Sequence, residues 1–263
     1  MANNENASTD THQLLKMEYE KTIAHLETLL KNKNEQLAEV NNDLETLVHA
    51  VSHDLRAPLR AINGFTKMLK EDHNEQLDEN GNRLVNVIEY NSKKMDVMID
   101  DLLRFSRITK NEAVFNYVEM KTIVEQCIDE LLTAENKARY SITVANLPGC
   151  CGDANMLKLV WLNLVDNAVK YSSKKSQPVI VIGFEEDEQT HTYFISDKGV
   201  GFDMKYSEKL FEPFERLHRD DEFEGSGAGL AFVKRIILKH AGSVWVQSMP
   251  NQGSTFYFSI PKK

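Results

Sequence analysis

Between residues 12 and 57 the chain has no Pro and no Gly, and its apolar residues recur every seven positions. Ile23, Leu30, Leu37, Leu44 and Val51 form one series. Leu26, Val40 and Leu47 form a second, interrupted by Lys33. Glu, Lys, Asn and Gln fill most positions between them. On a helix this period makes an apolar stripe that a second helix covers. It predicts a dimeric coiled coil over residues 12–45, preceded by a disordered polar tail at 1–11. The same register puts His53 at a c position, facing solvent.

Pro58 lacks an N–H and crowds the preceding turn, which predicts a kink before the helix resumes through "LRAINGFTKMLKED". The polar segment "EDHNEQLDENGN" reads as a turn. Leu84, Ile88, Asn91, Met95, Met98, Leu102 and Phe105 then alternate spacings of four and three, the seam of a second long helix. Residues 46–112 therefore read as an antiparallel helical hairpin, and two such hairpins in a homodimer would bury their seams as a four-helix bundle.

After residue 112 the period changes. "VFNYVEM" and "YSITVANL" read as strands around a helix at about 120–136, and a second helix spans about 153–172. "PVIVIGFEED" and "HTYFISDKG" read as a strand pair. A loop rich in charge and Gly occupies about 199–228, a helix runs to about Ala241, and "SVWVQS" and "STFYFSIP" close the chain as a hairpin. The fold class is α+β: coiled coil and helical hairpin, then an α/β sandwich over 113–263.

Composition narrows the function. The chain has 263 residues and a formal net charge of -9, which disfavours nonspecific nucleic-acid binding. Cys127, Cys150 and Cys151 are odd in number, a poor disulfide framework, and read as reduced thiols in the cytoplasm. The polar N-terminus is unlike a signal peptide, and no apolar run nears the roughly 18 residues of a membrane span.

Several stretches carry possible chemistry. His49 and His53 have zinc-ligand spacing, but Ala50 follows the first where a zincin needs Glu, and no third ligand is evident. His218-Arg219-Asp220 lacks the Asn that a Ser/Thr-kinase loop carries five residues on, and there is no P-loop. In "EGSGAGLAFVKRI", Gly225, Gly227 and Gly229 precede an amphipathic helix, where backbone N–H groups can approach a phosphate. Asp197 ends a strand before Gly199 and Gly201, placed to accept a hydrogen bond from an exocyclic amine. Asn163, Asn167 and Lys170 share one helical face, opposite Leu162, Val165 and Val169, and suit Mg²⁺ and phosphates.

Taken in order, "SHDLRAPL", "NLVDNAVKYS", "DKGVGF", "LFEPFERL" and "GSGAGLAFVKRI" resemble the phosphoacceptor box, N box, first glycine box, F box and second glycine box of sensor histidine kinases. "SHDLRAPL" is most similar to the phytochrome-like members. The resemblance covers residues 46–263 and implies a dimerisation and phosphoacceptor hairpin before a Bergerat-type ATP-binding domain. By position, His53 would attack the γ-phosphorus of ATP, with Asp54 as orienter and general base. Asn167 would ligate Mg²⁺, Asn163 support the phosphates, Lys170 touch phosphate and Tyr171 flank adenine. Asp197 would read the adenine amine, with Gly199 and Gly201 passing close to the base. Arg216 would approach the γ-phosphate. Gly225, Gly227 and Gly229 would line a mobile lid, with Leu230 among the nucleotide contacts.

The implied partners are a second copy, a response-regulator receiver domain and a separate sensor protein. Lys198 stands where the first glycine box usually has Asn. Ala57 stands where many relatives carry the Thr or Asn associated with phosphatase activity. Two rivals are a non-catalytic ATP-sensing coiled-coil scaffold and another Bergerat-fold ATPase, for which the "SHDLRAPL" hairpin has no use.

The seam generates a test. Leu37→Asp or Leu44→Asp, in a fragment containing the coil but not the hairpin, should weaken dimerisation roughly a hundredfold, as about 3 kcal/mol of charge burial does. Sedimentation showing unchanged dimer stability would refute the coil.

Overall fold

The computed structural model describes residues 2–217, 222–223 and 225–262. The His218–Asp220 tripeptide lies outside them. The chain divides into two compact units, residues 1–54 and 55–263.

Helix α1 spans Ala2–Asp72, so the described part of the first unit is helix throughout. The segment 2–11, expected to be disordered, is therefore helical. It contains no Pro or Gly to stop a helix, and extending an existing helix needs no second nucleation. Ile23, Leu30, Leu37, Leu44 and Val51 are all exposed, the apolar stripe that helix pairing removes from water.

In the second unit α1 continues through Pro58 and is followed by α2, Glu79–Lys110. Asp78 caps α2 by accepting a hydrogen bond from the Gly81 N–H at 2.7 Å. Leu59, Val85, Ile99 and Leu103 are buried in the hairpin. Polar pairs fix its register: Asn63 donates to Asp96 at 3.2 Å, Arg56 pairs with Asp100, and Lys70 pairs with Glu89. Lys70 and then Lys93 hold the Glu89 carboxyl down at about 2.

The remaining elements form the sandwich. They are β1 (Asn116–Val118), α3 (Met120–Leu131), α4 (Ala134–Lys137), β2 (Ser141–Val144), β3 (Cys150–Gly152) and α5 (Ala154–Ser172). Then come β4 (Val179–Glu186), β5 (Thr190–Asp197), α6 (Gly229–Lys239), β6 (Ser243–Met249) and β7 (Gly253–Pro261). The main sheet has the order β2-β4-β5-β7-β6, with β2 parallel to β4 and the other pairs antiparallel. β1 and β3 make a separate antiparallel pair.

Two departures from the sequence reading have local causes. The helix expected over 120–136 is broken, because Leu132 turns extended and buried, and Thr133 caps α4 by accepting from the Asn136 N–H. Strand β3 was not expected, since three residues carry no period to read.

One face of the sheet packs on α3, α5 and α6. Its centre is aromatic: Trp161 of α5 meets Phe258 edge-on at 5.2 Å, and Phe258 stacks on Tyr193 at the same distance. All three are fully buried. The inward face of α5 is led by Leu157, Trp161, Leu164, Val165 and Ala168, whereas Leu162 and Val169 are only partly buried.

Buried His240 joins three elements. Its Nδ1–H donates to the Ile236 carbonyl at 2.8 Å, its Nε2 accepts from the Asp153 N–H at 3.0 Å, and the Phe115 ring lies 5.2 Å away. Asp153 in turn caps α5 by accepting from the Asn155 and Met156 N–H groups. His240→Ala should cost about 2–3 kcal/mol in urea unfolding, because it leaves a buried N–H unmatched. A loss under about 0.5 kcal/mol would contradict this linchpin role.

Candidate active site

The polar edge of α5 follows from its seating. With Trp161, Leu164 and Ala168 turned to the sheet, Asn163, Asn167 and Lys170 fall on the neighbouring face at spacings of four and three. All three line a cavity enclosing about 950 Å³, open mouth included. Tyr171, Gly201, Arg216, Gly225, Gly227, Gly229 and Leu230 line it too. The structure thus brings ten sequence-flagged residues from four separate stretches to one wall.

Their local geometry is defined. The Asn163 amide donates to the Leu159 carbonyl at 2.7 Å, which leaves its oxygen toward Gly229. A Cβ at Gly229 would come within 2.5 Å of that oxygen. The Lys170 ammonium sits 4.6 Å from the Tyr171 ring centroid. Burial raises the Tyr171 hydroxyl above its ordinary range, and the ring meets Phe223 edge-on at 5.0 Å. Arg216 donates to the carbonyls of Gly225 and Phe223, fastening the lid segment to the F-box stretch. Gly227 is left-handed at φ +83° and packs so close to Glu215 that a Cβ would lie 2.8 Å from its carbonyl oxygen. Gly201, at φ +59°, approaches the Met249 carbonyl still more tightly.

Asp197 and Gly199 stand behind this wall, not in it. Burial along β5 alternates through Tyr193, Ile195 and Asp197, so the carboxylate faces inward and is 4% exposed. It accepts from the Gly199 N–H at 2.7 Å, and its strand partner Ser254 does line the cavity. Burial pushes the Asp197 carboxyl up to about 6 in spite of these bonds.

His53 belongs to the other unit and to another environment. Its side chain is 84% exposed, and its Nδ1 lies 3.2 Å from Asp54 Oδ1. With the proton on Nδ1, Asp54 accepts it and the Nε2 lone pair faces water.

Residues 43–111 match the His Kinase A (phospho-acceptor) domain, and residues 152–263 match the histidine kinase-, DNA gyrase B- and HSP90-like ATPase. The chain belongs to the histidine kinases. It is 32% identical over 240 residues to phytochrome-like protein Cph1 of Synechocystis, covering 89% of this chain and 32% of that one. It is 31% identical over 242 residues to the adaptive-response sensory kinase SasA of Crocosphaera subtropica, covering 88% of this chain and 63% of that one. The chain thus spans about a third of the phytochrome-like relatives it matches. A solved structure of full-length ShkA in complex with AMPPNP shares the fold, with TM-score 0.57, 24% identity, and 81% of this chain and 45% of that one covered.

The cavity also has walls that no motif announced. Asp101 and Arg104 come from α2 of the hairpin, and Ser254 and Phe256 from β7. Only the heptad-like spacing of α2 hinted that it would meet a partner, and that spacing does not name the partner. Among the described residues no helix is long and apolar enough to cross a membrane.

The buried carboxyl gives a pH signature. Its folded pKa is raised from 3.8 to about 6, so the folded state holds a proton that the unfolded chain releases. That stability is complete below about pH 4 and is lost as pH rises to about 6, a change on the order of 3 kcal/mol. Urea titrations of wild type should show this decline, and Asp197→Asn should flatten it. Equal slopes for both proteins would show that Asp197 is not the group responsible.

Proposed function

We propose that this chain is the kinase module of a two-component sensor: it transfers the γ-phosphoryl group of ATP to His53 and then to an Asp of a receiver domain. The observation that carries the reading is the pairing of two sites in one chain. One is a cavity that gathers amides, cations and a glycine-rich helix start. The other is an exposed histidine inside the phospho-acceptor match. A scaffold or a different ATPase has no use for the second.

The chemistry asked of the residues is modest. The N-terminus of α6, reached through Gly225, Gly227 and Gly229, favours the phosphates, and Lys170 and Arg216 add positive charge. Asn163 and Leu230 line the same end, and Tyr171 would flank the adenine. Asp197 would read the adenine amine from behind Ser254, with Gly199 and Gly201 shaping the close approach. Mg²⁺ suits the donor set, because it takes one or two protein oxygens plus phosphates, and the Asn167 amide offers such an oxygen. The ion would neutralise phosphate charge.

At His53 the Nε2 lone pair forms the bond to the γ-phosphorus while the bond to the bridging oxygen breaks and ADP leaves. The imidazolium that results keeps its Nδ1 proton, and Asp54 stabilises it by accepting that hydrogen bond. Positioning and charge neutralisation supply most of the rate. The reading includes a homodimer built on the coil and hairpin seams, with input from a separate sensor.

His53→Gln should fold and bind Mg-ATP but take up no label from γ-labelled ATP, whereas wild-type label should be acid-labile and stable in base. Asn167→Ala should weaken nucleotide binding by about tenfold or more by calorimetry. Stable labelling of His53→Gln would remove His53 from the reaction.

A further inference from the structure

The cavity wall contributed by α2 is the feature that the motifs do not explain. Asp101 and Arg104 lie within the phospho-acceptor match and outside the ATPase match, yet both line the cavity. Asp101 also touches the lid segment directly: the Ser226 hydroxyl donates to its carboxylate, across 125 residues of sequence. The same hydroxyl oxygen accepts from the Ala228 N–H at 3.3 Å, one residue before α6 begins.

We propose that Asp101 is a positioning residue of the nucleotide site, holding the lid through Ser226 so that the seating of α2 on the ATPase domain sets nucleotide affinity. The inference rests on the nucleotide reading above. Three observations converge on it.

First, α2 is anchored to α6 on the C-terminal side of the contact. Phe105 packs against Phe232 at 6.2 Å, and the Asn111 carbonyl accepts from Lys239 Nζ at 2.7 Å. Asp101 is one turn from Phe105, so the lid contact and the α6 contact move together when α2 shifts. A hydrogen bond weakens steeply with distance, so a displacement of a few ångströms opens the lid contact.

Second, the neighbouring acid is committed elsewhere. Asp100 pairs with Arg56 across the hairpin, while Asp101, 100° further round the helix, faces the cavity. The two adjacent carboxylates divide the work between holding the hairpin and holding the lid.

Third, the contact opposes a phosphate ligand. It turns the Ser226 proton toward a carboxylate, while the Ser226 oxygen takes up the Ala228 N–H at the helix start where an anion is favoured. The Asp101 charge shares the cavity with Lys170 and Arg216, the cations that suit a polyphosphate. Removing Asp101 therefore frees the Ser226 hydroxyl for the ligand, and removing Ser226 frees the Ala228 N–H.

The test uses the full chain and calorimetry with Mg-ADP. Asp101→Ala and Ser226→Ala should each tighten binding about three- to tenfold, the range of one competing hydrogen bond. The double variant should bind no tighter than either single one, because both remove the same contact. Asp101→Asn keeps an oxygen acceptor for Ser226 and should stay within about twofold of wild type. If Asp101→Asn tightens binding as much as Asp101→Ala while Ser226→Ala does nothing, charge alone acts and the positioning role is overturned. If all variants bind like wild type, the role also fails while the nucleotide site stands. If wild type itself binds no Mg-ADP, the nucleotide reading falls and takes this inference with it.

Discussion

The seating of α5 on the sheet is the constraint on which the rest of the cavity depends. Trp161 meets the stacked Tyr193 and Phe258 rings edge-on, and burial of three large aromatic side chains leaves little freedom to rotate the helix. Once that face is committed, the helical period dictates where Asn163, Asn167 and Lys170 point. Glycines complete the arrangement where backbone must run close to backbone. Gly201 does so under Met249, and Gly227 against Glu215. A packing requirement and a binding surface are thus two faces of one nineteen-residue helix.

The opposite requirement governs His53. Its side chain and that of Asp54 are both more than four-fifths exposed, and the two touch each other. A nucleophile that must meet a nucleotide and then, in the proposed reaction, a second protein gains from standing clear of any core. The neighbouring carboxylate offers an acceptor to the Nδ1 side without burying the ring. Exposure that reads as unremarkable on a helix surface is here compatible with chemistry, because the chemistry is supplied by what approaches.

The hairpin has two kinds of face as well. Its polar pairs, Asn63 with Asp96 and Lys70 with Glu89, fix how the second part of α1 meets α2. Its apolar residues turn in more than one direction. One groove is lined by Leu55, Pro58, Leu59, Ile62, Met95 and Met98, and Phe214 of the F-box stretch lines it too. Phe214 is held there at φ +64°, a conformation that costs a side-chain-bearing residue about 1–2 kcal/mol.

Local chemistry along the chain encodes part of this architecture. The seven-residue period made α1 helical, the i, i+3, i+4 pattern set the faces of α5, and alternation along β5 turned Asp197 inward. The glycines at 225, 227 and 229 marked the approach to α6. These features depend on neighbours a few positions away, so they survive in the order of residues. Tertiary structure decided the remainder. β3 is too short to carry a period and exists because β1 lies beside it. The break at Leu132 exists because burying that side chain outweighs continuing the helix. Asp101 and Arg104 join the cavity because contacts such as Phe105 on Phe232 seat α2 against α6. That contact links positions 127 residues apart, and no spacing within either helix can state it.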